Sequence, residues 1–116
     1  MPMLTREQIL AVVDLPKIEV EVPEWGGTVL VSTMSGTARD RFESSLLDAT
    51  GNVNAIGLRA KMAAACIVDE HGTPMFSPGD IEALSLKSAA ALNRVVNAAR
   101  SLNGLGDDGV NEAKKD

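Results

Sequence analysis

The residues that could do chemistry are a histidine flanked by acids, a lone thiol and two hydroxyl-glycine pairs. Asp69, Glu70 and His71 could in principle hold a divalent metal. Zinc sites, however, gather three or four His or Cys ligands, and His71 and Cys66 are the only residues of their types. With Gly72 following, a turn filled with polar residues is the simpler account. Cys66 as a nucleophile would need a base within reach. Its neighbours Ala63, Ala64, Ala65 and Ile67 are apolar, which raises a thiol pKa rather than lowering it, so a buried structural cysteine is expected. Ser35-Gly36-Thr37 and Ser77-Pro78-Gly79 put hydroxyls and backbone amides where helices start, and an anion could bind there. Neither carries the Gly-Lys-Ser/Thr of a phosphate loop, and Asn103-Gly104-Leu105-Gly106 follows a predicted helix and lacks a third glycine. Helix capping explains both serines, and the sequence points to no enzyme, no metal and no cofactor.

The chain that must position these groups has 116 residues and a net charge of −5. Phosphate binding needs a clustered basic face, so no nucleic-acid partner is expected; the acids are also too dispersed for a nucleic-acid mimic. No apolar run reaches membrane-spanning length and the first residues, with Arg6, Glu7 and Asp14, hold no signal-peptide core. The expectation is a soluble cytoplasmic protein without a membrane partner, and a single cysteine fits a reducing compartment. Aromatic residues make up only 3% against a hydrophobic share of 45%. Aliphatic side chains must therefore fill the core, which favours closely packed helices.

Those helices and strands can be read in order. Thr5-Arg6-Glu7-Gln8 has the form of a capping box ahead of Ile9, Leu10, Val12 and Val13, and the helix should end before Leu15-Pro16. Lys17–Glu21 and Thr28–Ser32 alternate with the period of a half-buried strand, and Gly26-Gly27 is a hairpin turn signal. Ile18, Val20 and Val22 share one face, matched by Val29 and Val31. Ser35 or Thr37 should cap a helix with Phe42, Leu46 and Leu47 on its apolar side, closed by Thr50-Gly51-Asn52. Asn54 is a candidate cap for a helix running through Ile56, Met62 and Cys66. Ile67-Val68 and Met75-Phe76 read as a small second hairpin around Gly72. Ser77-Pro78-Gly79-Asp80 starts a short helix, and Ser88 caps the last one, where Leu92, Val95, Val96 and Ala99 recur at helical spacing up to a stop at Gly104. Met34 and Phe42 are core candidates. The architecture is α+β and mainly helical, an N-terminal β-hairpin packed with about four to five helices. It forms one domain over residues 1–105, followed by a polar tail at 106–116 that reads as disordered.

Four blocks of this sequence carry a resemblance: Thr5-Arg6-Glu7-Gln8-Ile9-Leu10, Glu21-Val22-Pro23-Glu24-Trp25-Gly26-Gly27, Met34-Ser35-Gly36 leading into Arg39-Asp40-Arg41-Phe42-Glu43, and the stretch from Phe76-Ser77 to Leu105. In order and spacing the chain resembles the tail assembly chaperones of long-tailed bacteriophages. The resemblance implies a protein made during assembly of a non-contractile tail. It would coat the tape-measure protein, keep that chain soluble and recruit tail-tube subunits, acting as a homo-oligomer in the host cytoplasm and absent from the mature virion. It also implies a frameshift-extended form that binds the tube subunit, for which the codons of Lys114 and Lys115 are the candidate slippery site; an ordinary solubilising Lys-Lys pair is the plainer reading.

The residues proposed for partner or self-contact are Trp25, at the mouth of the hairpin, and the stripe Leu92, Val95 and Val96. Tryptophan is enriched where interfaces concentrate their energy, yet it can equally pin the hairpin onto the helices. The stripe serves as core on the weightier of its two readings. Two other functions compete: a structural tail or head–tail connector component, and a small hydrolase or metal-dependent enzyme resting on His71.

Overall fold

The computed structural model describes residues 2–104. The tail at 106–116, with Lys114 and Lys115, lies outside the described residues. A three-stranded antiparallel sheet has the order β1-β2-β3, with β1 Lys17–Val22, β2 Gly27–Ser32 and β3 Ile67–Val68. In the hairpin Ile18 faces Val31 and Val20 faces Val29, which keeps on one side the residues that the alternation puts there. The turn differs from the Gly-Gly expectation. Pro23–Trp25 form one turn of 3₁₀ helix, Gly26 alone takes the left-handed conformation at φ 75°, and Gly27 is already in the strand, paired with Val22. Proline's fixed φ suits the first position of a helical turn. The loop then closes by the Gly26 amide donating to the Pro23 carbonyl at 3.0 Å.

The helices are α1 Arg6–Ala11, α2 Gly36–Ser45, α3 Leu58–Cys66, α4 Ile81–Ser85 and α5 Ala89–Leu102. Thr5 and Gln8 form the expected capping box of α1; Ser35 and Ser88 accept from the amides of Ala38 and Ala91 to cap α2 and α5. Each such cap contributes about 1 kcal/mol. Two boundaries move from the sequence reading. The second helix ends at Ser45 rather than at Thr50, because Asp48 accepts from the amides of Thr50 and Asn52 and organises a separate turn. Leu47 thereby leaves the apolar face and is 49% exposed. In the third helix Asn54 holds an Asx turn through the Ile56 amide instead of capping, and Gly57, at φ 80°, occupies the cap. Ile56 is therefore outside the helix and exposed.

Gly72, at φ 83°, turns the chain so that Val68 bridges Pro74, the small hairpin expected there. The sequence does not show that Ile67–Val68 also extends the main sheet, pairing with Val31 and Leu30. On the inner face of the sheet, α5 lies against β1 and β2, with α3 beside it. Val22, Val31, Cys66, Ile67 and Val95 are completely buried at their junction. Burying each such aliphatic side chain contributes about 1.5–3 kcal/mol. Ala63, Ala91 and Ala99 are fully buried as well, and their small side chains allow α3 and α5 to approach closely. Met34 and Phe42 join this core, as expected. Helix α4 seals the far side of α3 through Leu84 against Ala60 and Ala64. Helix α1 has no buried residue.

Candidate functional site

Three features present themselves for partner contact: the hairpin tip, the face of α5, and the N-terminal arm. At the tip, the Arg94 Nε donates to both carboxylate oxygens of Glu24, at 2.8 and 3.2 Å. This links the turn to α5. The hydrogen bond from Arg94 is the main reason why the Glu24 carboxyl titrates below its usual range. Trp25 is half-buried and packs against the main core. Its hairpin is thus held on the helices by one ion pair and one ring, and part of the indole stays open to solvent.

The stripe on α5 lies elsewhere than its proposed contact role requires. Leu92 and Val96 are 3% exposed and Val95 is 0% exposed, covered by the domain's own sheet and helices. These three side chains form core in this conformation, and Trp25 is the one member of the proposed set with surface to offer.

The groups with chemical potential are dispersed. His71 is exposed on the turn after β3, and one Asp69 oxygen is taken up by the amides of His71 and Thr73. The hydrogen bond from the Thr73 amide is the largest cause of the lowered Asp69 pKa. Among the described residues no three His, Cys, Asp or Glu side chains gather as a metal site. Burial pushes the Cys66 thiol up to about 11, against a partial opposing effect of the hydrogen bond from Asn103. Such a thiol is a packing group and not a nucleophile at neutral pH. Among the described residues, no helix is long and apolar enough to cross a membrane.

Sequence reasoning passed over Asn103. Its Oδ1 accepts from the Met34 amide at 2.7 Å, while its Nδ2 donates to the Ala99 carbonyl at 2.8 Å and reaches the Cys66 Sγ at 3.8 Å. One side chain after α5 thereby ties together the segment entering α2, the end of α3 and α5 itself. The sequence carried no signal for this, since an asparagine before a glycine reads as an ordinary helix stop.

It also missed the standing of the arm. Met3 is 95% exposed, Leu10 68% and Val13 93%, and Leu4, Ile9 and Val12 are more than half exposed. The signal was present in the apolar run around a short capped helix; what could not be read was that it stays uncovered among the described residues. On another face, α2 and α3 leave a depression of about 220 Å³, lined by Phe42, Ala65, Phe76 and Ile81 with Arg41 and Lys61 among its polar lining.

No protein-family model matches this sequence, and no curated protein matches it. Among solved structures, the tail assembly chaperone of bacteriophage HK97 superposes with a TM-score of 0.61 at 20% identity, over 87% of this chain and 95% of that one. The two proteins share a fold, and it is the fold of the family that the sequence blocks resemble.

Proposed function

We propose that this protein is a bacteriophage tail assembly chaperone without enzymatic activity. It binds the tape-measure protein, keeps it soluble and helps recruit tail-tube subunits. The carrying observation is the shared fold with the HK97 tail assembly chaperone across nearly the whole of both chains. The chemistry agrees. An acidic domain with a closed aliphatic core and apolar surface around its periphery is suited to holding a helical client in solution. In this reading the protein works as a homo-oligomer in the host cytoplasm and leaves before the virion is complete. A frameshift through the codons of Lys114 and Lys115 supplies the extended form that engages the tube subunit.

Co-expression with the tape-measure protein of the same phage tests the central claim. A soluble complex containing both chains is the expected result; an insoluble client with no complex recovered refutes it. Mass spectrometry of purified virions should not find the protein, and its presence there would favour a structural tail component. Sequencing the gene decides the extended form, since codons lacking a slippery run remove it.

A further inference from the structure

The N-terminal arm is the least explained part of the fold. Helix α1 has six residues, every one of them exposed. Isolated helices shorter than about 12–15 residues are marginal in water, even with good caps. A six-residue helix therefore needs a surface to pack on, and the described residues bury none of its side chains. Met3, Leu4, Ile9, Leu10, Val12 and Val13 are all more than half exposed, a concentration of apolar surface that marks an interaction site.

The same chain carries a surface to receive it. The depression between α2 and α3 is apolar at its base and has room for one or two aliphatic side chains. Arg41 at this depression has no carboxylate partner among the described residues. On the arm Glu7 is already paired with Arg6 at 3.9 Å, while Asp14 has no basic partner among the described residues. Apolar knob meets apolar depression, and free acid meets free base.

We infer that the arm of one copy, residues 3–15, docks into the α2–α3 depression of a second copy, seating Leu10 and Val13 with Asp14 on Arg41. Arm and depression are different patches, so the contact is head-to-tail and each copy keeps a free arm or a free depression for the next. The inference gives the oligomer of the proposed function its interface. It is tested without client, so its failure and the failure of the chaperone reading are separate results.

Sedimentation equilibrium of the full chain over a wide concentration range supplies the readout. The wild type should gain mass with concentration. Leu10→Asp combined with Val13→Asp should weaken association at least ~10-fold, with thermal unfolding unchanged at a concentration where the wild type is dissociated, because α1 lies outside the core. Ala65→Glu in the depression should do the same, and Arg41→Glu provides a surface variant should Ala65→Glu fold poorly. Mixing an arm variant with a depression variant should give a one-to-one pair that grows no further. Asp14→Lys should restore association to Arg41→Glu. A wild type of constant mass overturns the inference, as does an arm variant that still associates or a mixture that forms no pair. An arm variant that melts lower would show the arm packed on its own domain, and this overturns it too.

Discussion

Replacing Asn103 with alanine removes one side chain that three parts of the core share. The Met34 amide, in a residue 8% exposed, loses its acceptor at 2.7 Å. A donor stripped of its partner in so dry a place costs about 1–3 kcal/mol. The Ala99 carbonyl loses the Nδ2 donor but keeps the Asn103 backbone amide at 2.9 Å, so the added cost there is at most about 1 kcal/mol. The expected total is about 1–4 kcal/mol, which for a domain of this size lowers Tm on the order of 10 °C. Urea unfolding at 25 °C should show a reduced midpoint with an unchanged slope. Two companions give the comparison its power. Asn103→Asp keeps an acceptor for Met34 but places a negative charge beside the end of α5, and should fall between wild type and alanine. Asn93→Ala removes an exposed asparagine of the same helix, bonded only to the exposed Arg59, and should cost less than about 0.5 kcal/mol. If Asn103→Ala is as mild as Asn93→Ala, the three-way tie does not stabilise the fold and the reasoning is wrong.

Trp25→Ala should destabilise by about 2–4 kcal/mol, somewhat less than removal of a fully buried ring, because the indole is already partly open to solvent; a melting curve identical to wild type would mean that the ring serves only a partner. The Glu24 carboxyl is depressed below 4.5 in the folded state, so its contribution is present above that value and is lost as pH falls through the folded pKa. Glu24→Gln should accordingly flatten the acid side of the stability profile below pH 4.5, and urea midpoints measured across that range check it. Cys66 runs the other way. With its folded pKa raised from 9.0 to about 11, its contribution is complete below pH 9 and disappears between pH 9 and 11, a loss of about 2–3 kcal/mol. Cys66→Ala should remove this alkaline limb of the profile, and the native thiol should resist a disulfide reagent at pH 8 until the protein unfolds.

Local chemistry was legible wherever a residue type dictates its own backbone. Thr5 with Gln8, Ser77 with Asp80, Ser88 and Gly104 mark element ends as their side chains or their freedom require. That Ile18, Val20 and Val22 share a face with Val29 and Val31 follows from alternation. The misreadings arise where two local signals compete. Gly26-Gly27 offered a two-residue turn, but Pro23 before it started a 3₁₀ turn and left only Gly26 the left-handed role. Asp48 drew the chain into a turn of its own before the glycine that reads as the end of α2. In each case the earlier residue in the chain set the geometry.

The partner surface was harder to read because hydrophobic periodicity reports only that a stripe must be covered, not by what. Leu92, Val95 and Val96 have the same spacing whether they face a client or a sheet, and here the sheet covers them. The arm shows the converse. Ile9, Leu10, Val12 and Val13 would be ordinary core in a helix that packed on its own domain, yet the described structure leaves them uncovered. The deciding fact is the completeness of the core without them. Sheet, α3 and α5 close on one another through Val22, Val31, Cys66, Ile67 and Val95, and α4 seals the far side of α3, so no inward-facing surface remains for α1. Apolar residues left outside a closed core carry a standing solvation cost that burial against another surface relieves. Among the described residues the arm, rather than the better-patterned α5 stripe, therefore carries exposed apolar side chains in sequence from Met3 to Val13.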